Sequence, residues 1–145
     1  MGSSTCYWSN QPELADAVKE AKARVAEHAE ARGWSFQAHG VALEWSTQRG
    51  IEHLSGLGSF DEVSAGNNWG NSFALNHLWP DPSDLPSTPM VLVYRRTFVA
   101  SRSEEDEMIY AERGRVLLEV KRGLPEVTEW AHAGAPLSKM GPAGS

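Results

Sequence analysis

Residues 90–94 read Met-Val-Leu-Val-Tyr, apolar at both parities of a strand. A strand with one wet face alternates, and one that does not is covered on both sides. The rest of the chain must therefore supply cover for two faces. The run continues through Phe98 and Val99 after the Arg95–Arg96 pair and predicts a central strand over Met90–Ala100. Val116, Leu118 and Val120 alternate, which gives a strand over Arg115–Lys121. Glu107–Glu112 is its expected partner across a turn at Arg113–Gly114. A short helix from Ser103 is the competing reading, since Glu104, Glu105 and Asp106 suit a first turn. Glu126–Trp130 is read as a last strand.

The cover is expected from the other end of the chain. Leu14, Val18, Ala21, Val25 and His28 or Ala29 recur at spacings of four and three, which predicts a helix over Gln11–Arg32. Asn10 is its expected N-cap, with Glu13 as the reciprocal partner three residues on. Pro12 is tolerated in the first turn, and Gly33 is a natural left-handed terminator. The alanine-rich stripe allows close approach to a flat partner, which favours a sheet. Between Trp34 and Ser46 the apolar parity flips at His39–Gly40, as in a bulge or, the preferred reading, a hairpin with a two-residue turn.

From Gln48 to Pro89 periodicity fades among Gly50, Gly56, Gly58, Gly66, Gly70 and four prolines. A long loop over 48–89 is expected, with one helical turn from Ser72 to Trp79 ended by Pro80. The resulting fold class is α+β. It is a two-layer antiparallel sheet with one long N-terminal helix packed on a face, in a single domain over 1–145. An N-terminal arm over 1–9 and an Ala/Gly/Pro/Ser-rich C-terminal tail over 131–145 flank it.

Charge separates the segments. Residues 1–32 carry five acids and four bases, and residues 94–145 carry eight of each. Residues 33–93 carry six acids (Glu44, Glu52, Asp61, Glu62, Asp81, Asp84) against Arg49, so −5 of the net −6 sits in the middle. A net negative chain disfavours generic binding to nucleic acid or anionic membrane. No apolar run approaches the ~18–20 residues of a membrane span, and no basic n-region with an apolar h-region opens the chain. The lone cysteine, Cys6, excludes an internal disulfide and suggests a reducing, cytoplasmic setting.

The stretch least like scaffold is Ser64–Pro82. Asn67, Asn68 and Asn71 offer amide donors and acceptors, and Trp69 and Trp79 offer flat apolar faces, a mixture that lines ligand pockets. The preferred reading of the same residues is tight turns over buried tryptophans. His39, His53 and His77 share the acidic middle with Asp61 and Glu62, so acid–base work is chemically available, with His53 or His77 the expected neighbour of Asp61 or Glu62. No metal-ligand spacing is present, and no cofactor is implied. Gly70-Asn71-Ser72-Phe73-Ala74 echoes a nucleophile elbow but lacks a strand entering the turn. Tyr94, Arg95, Arg96 and Phe98 could stack on single-stranded nucleic acid. The neighbouring glutamates instead favour salt-bridged sheet edges.

With no catalytic constellation in the spacing, the sequence points to a non-catalytic protein-binding or assembly module, of inhibitor type or as a subunit of a larger particle. It would present an acidic middle surface to a protein partner or to further copies of itself. The alternative is a small-ligand-binding protein or enzyme that uses loop 64–82. Its binding residues would be Asn67, Asn68, Trp69, Asn71, His77, Trp79, Asp61 and Glu62.

Overall fold

The structure, a computed structural model, describes residues 1–78, 86–103 and 105–138. Leu14, Ala17, Ala21, Val25 and Ala29 are the buried stripe of helix α1 (Pro12–Glu30). Its N-cap is Gln11, not Asn10. Asn10 instead turns its amide back onto the carbonyls of Ser4 and Cys6, at 2.9 and 2.6 Å, and so ties down the arm. Gly33 takes the left-handed conformation that ends the helix, at φ +68°.

After Gly33 the expected hairpin is absent. Only His39–Ala42 is a strand, β1. Its partner is β2 (Glu62–Ala65), which runs parallel with His39 opposite Glu62 and Val41 opposite Ser64. Parallel neighbours need a crossover, and helix α2 (Thr47–Gly56) supplies it. Residues 48–89 are thus not one loop: they hold α2, β2 and helix α3 (Ser72–His77). Gly50 is what lets α2 lie flat on the parallel pair. A Cβ there would stand 2.7 Å from the Ala65 Cβ and 3.1 Å from the Ala42 Cβ.

In place of one antiparallel sheet with a central strand, the α+β fold has, among the described residues, two two-stranded sheets, β1–β2 parallel and the other antiparallel. The strand expected at the centre is one of a pair and longer than its apolar run. Strand β3 (Met90–Arg102) pairs antiparallel with β4 (Met108–Arg122) in a long ribbon. The ladder closes at Arg102 and Met108, so the ribbon does not turn at Arg113–Gly114, and the described residues show neither a break at Gly114 nor a helix from Ser103. Register shifts near Thr97/Phe98 and Val93/Tyr94 absorb the extra residues, as β-bulges do. Residues 123–132, expected to hold a strand, form helix α4 (Gly123–His132), which packs on α1.

The two strand pairs are not separate. Gly2 bonds to β1 in parallel sense, its N–H donating to Val41 and its carbonyl accepting from Leu43, both at 2.9 Å. Met1 exchanges both main-chain bonds with Met90, at 2.8 and 3.0 Å. Residues 1–2 thus join β1 to β3, and the arm is part of the hydrogen-bonded framework.

The cover required by Met90–Tyr94 is present on both sides. Val91 and Val93 pack against the cluster built from α1, α2 and α4 around Leu14, Leu54, Val127 and Trp130. Leu92 and Val120 pack against a second cluster of Ala74, Leu78 and Met90, with Met1 and Trp69 beside it. The stretch after α4 is held as well: the Trp130 indole N–H donates to Pro136 at 2.9 Å, and Ala135 is fully buried. Residues 139–145 of the expected tail lie outside the described residues. No helix among the described residues is long and apolar enough to cross a membrane.

Candidate functional site

Beyond β2 the chain takes three consecutive left-handed residues, Gly66, Asn67 and Asn68 (φ 89°, 57° and 48°). Asparagine tolerates this region better than most residues. The turn splits the Asn/Trp stretch between two cavities. Asn67 and Asn71 line one of about 380 Å³, together with Thr47, Ser64, Gly66 and Ser72. Asn68 and Trp69 line a second of about 270 Å³ with Ser3, Thr5, Cys6 and Thr88. The first cavity opens where β2 ends and α2 begins, the usual place for a ligand beside parallel strands.

Asn71 is buried and caps α3, its Oδ1 accepting the Ala74 N–H at 2.9 Å. Its Nδ2 donor is buried with no hydrogen-bond partner among the described residues. Asn67 spends its amide on the Gly70 carbonyl at 2.9 Å. Asp61 is exposed and accepts from the Ala38 N–H at 2.7 Å. Trp79 lies outside the described residues.

The histidine pairing differs from the expected one. Glu62 meets His39, not His53 or His77: its Oε2 is 3.2 Å from His39 Nδ1. The other ring nitrogen, Nε2, is 2.9 Å from the Ser64 Oγ. The register explains this trio. Glu62 and Ser64, two apart on β2, share a face, and His39 sits opposite Glu62 on β1. Burial pushes His39 below its ordinary pKa against the opposing pull of Glu62, with the Met1 amine and Arg96 acting in the same direction as burial. The ring is therefore neutral at pH 7.

His53 has Glu44 as its charged neighbour instead. Glu44 belongs to the acidic middle by sequence but is buried. Burial raises its pKa, yet bonds from Ser4 and Ser3 outweigh that and hold it low. One of the six middle acids is thus spent inside the protein.

His77 faces the ribbon. Its ring stacks on Phe73 at 4.2 Å, and Phe73 meets His39 edge-on at 5.0 Å. Arg115 donates to His77 Nδ1 and, at 2.8 and 3.1 Å, to both oxygens of Glu112. Arg96 donates to Glu112 from the other side, at 2.6 and 2.9 Å. Two guanidiniums hold the Glu112 carboxyl down to about 2. Burial, then Arg115, lowers His77 to about 4, so it accepts from Arg115 as a neutral ring. The glutamate-neutralised arginines expected from the sequence are present in this clamp.

Past the clamp the ribbon leaves the body. Residues 95–102 and 105–111 are exposed without interruption. Phe98, Val99, Met108, Ile109, Tyr110 and Val116 are each more than two-fifths exposed. The register puts Phe98 and Tyr110 on one face, and Val99 and Ile109 on the other. Among the described residues no group of three or more His, Cys, Asp or Glu side chains is placed to hold a metal ion.

No family model, curated protein or solved structure matches the chain, so its geometry alone bears on its function.

Proposed function

We propose that the chain is an assembly module whose projecting ribbon pairs with the ribbon of a second copy. The observation that carries this is the apolar, exposed distal half of β3–β4. A two-stranded ribbon is marginal in water by itself, and a run of apolar side chains on both faces with two open edges calls for a partner.

Charge distribution favours a like partner in antiparallel sense. The ribbon root carries Arg95, Arg96, Arg113 and Arg115 against Glu112, a net +3. The described tip carries Glu105, Asp106 and Glu107 against Arg102, a net −2. A two-fold axis across the ribbon lays each acidic tip on the other copy's basic root. Such a contact is self-complementary and closed. The acidic middle surface expected from the sequence is not needed for it.

Sedimentation of the full chain tests the reading. Wild type is expected to dimerise with rising concentration. Reversing the tip (Glu105→Arg with Glu107→Arg) or the root (Arg95→Glu with Arg113→Glu) should weaken the dimer, and carrying both reversals in one chain should restore it. A wild type that stays monomeric to the limit of its solubility refutes the reading, as does a doubly reversed chain no better associated than the single reversals.

A further inference from the structure

The geometry points to a second role that goes beyond assembly: Ser64, His39 and Glu62 form a nucleophile–base–carboxylate relay that hydrolyses small, polar acyl esters at the edge of the 380 Å³ cavity, where Ser64 is in the wall and His39 and Glu62 stand behind it. Each ring nitrogen faces a group that such chemistry uses. Nε2 is 2.9 Å from the hydroxyl that must lose a proton, and Nδ1 is 3.2 Å from the Glu62 carboxylate, a charge contact that favours the imidazolium formed when the ring takes that proton. The neutral ring has room for that proton. Phe73 lies edge-on to the imidazole and limits its rotation.

A second observation comes from the cavity wall. Ser64 and Asn71 both line it, and the Asn71 Nδ2 is a buried donor with no acceptor among the described residues. A buried donor left unpaired is costly, so an acceptor supplied by a ligand would be favoured there. A side-chain amide is a known type of donor to the oxyanion of acyl transfer. The rest of the lining is mostly hydroxyl, amide and main chain, with Val63 and Ala65 its apolar members. That suits a short acyl group with polar substituents better than a hydrocarbon tail.

The steps balance with water as the only co-reactant. The Ser64 Oγ forms a bond to the acyl carbon as its proton passes to His39 Nε2. The ester C–O bond breaks, and the alcohol leaves with that proton. Water then gives a proton to Nε2 and attacks the acyl-serine. The carboxylic acid departs as Ser64 recovers its hydrogen. Glu62 stays ionised and acts by positioning His39.

A fluorophosphonate tests this covalently, since the Oγ–P bond forms as fluoride leaves. Wild type should gain one adduct, mapped to Ser64, and Ser64→Ala none, with both chains unfolding at the same temperature. His39→Gln keeps a donor toward Ser64 but cannot take its proton, and should slow labelling about 100-fold or more. Asn71→Asp keeps the α3 cap and removes the donor. It should slow labelling about 100–1,000-fold. No adduct on wild type overturns the inference, as does an adduct that persists in Ser64→Ala. Hydrolysis of p-nitrophenyl acetate that survives Ser64→Ala and is lost in His39→Gln would make His39 itself the nucleophile and likewise overturn it. The readout is a covalent mass, so its failure leaves the ribbon dimer standing, and the reverse also holds.

Discussion

Helix α2 contains two glycines that the same substitution should move in opposite directions. At Gly50 a Cβ meets the methyls of Ala65 and Ala42 at 2.7 and 3.1 Å. Both methyls are fixed to strand backbone and cannot rotate away. Relief requires α2 to lift from β1–β2, and overpacking of this kind costs about 2–3 kcal/mol, the upper part of the usual range. Alanine returns about 1 kcal/mol of helix propensity in a helix interior. Gly50→Ala should therefore lose about 1–2 kcal/mol net. At about 3–4 °C per kcal/mol for a chain of this length, Tm falls by roughly 3–8 °C. At Gly56, the last residue of the same helix, nothing lies within 4 Å of an added Cβ. Gly56→Ala should gain about 0.4–1 kcal/mol by restricting the unfolded chain. Thermal unfolding followed by circular dichroism reads both. A Gly50→Ala chain as stable as wild type would refute the claim that α2 seats on the parallel pair through that glycine.

Leu14, 1% exposed in the α1–α4 core, should cost about 2–5 kcal/mol as Leu14→Ala in urea unfolding. Tyr110→Ser and Met108→Ser should leave stability within about 0.5 kcal/mol while lowering the sedimentation coefficient at high concentration. Acid should act in two windows. His77 has its native pKa lowered from 6.5 to about 4, so only the unfolded chain takes up that proton. Stability then falls as pH drops from 6.5 toward 4, and His77→Gln should flatten this part of the urea-midpoint profile. Glu112, lowered from 4.5 to about 2, contributes above 4.5 and loses its contribution toward 2. Glu112→Gln should remove that lower leg and leave the upper one.

What the sequence made legible were elements whose packing is written into one segment. The α1 stripe, its Gly33 terminator and the doubly covered Met90–Tyr94 run depend on local pattern, and each is present. Helix α2 was hidden because Gly50 reads as a breaker, although its role is close approach to the strands. Helix α4 was hidden by the β-branched Val127 and Thr128 behind Pro125. Its signal was available in Leu124, Val127 and Ala131 at helical spacing. Arg113–Gly114 looked like a turn but is absorbed at a register shift inside a strand.

The candidate site follows the same division. Glu62 and His39 were visible as residue types, and Ser64 marked only the start of a loop. Their meeting depends on a parallel register between segments more than twenty residues apart, which no local pattern encodes. The split of Asn67 and Asn71 from Asn68 and Trp69 comes from the left-handed turn at Gly66–Asn68, where backbone handedness decides which way each amide points.

Phe73 touches both histidines, and through it Ser64, His39, His77, Arg115 and Glu112 form one unbroken row from the cavity to the ribbon root. A small molecule that moves the Phe73 ring and a second copy that draws Arg115 away act on the same few side chains. Any free energy by which one changes the other's affinity must be equal in both directions. A titration of cavity occupancy against protein concentration thus doubles as a measurement of dimerisation against ligand, and the two must return a single coupling constant.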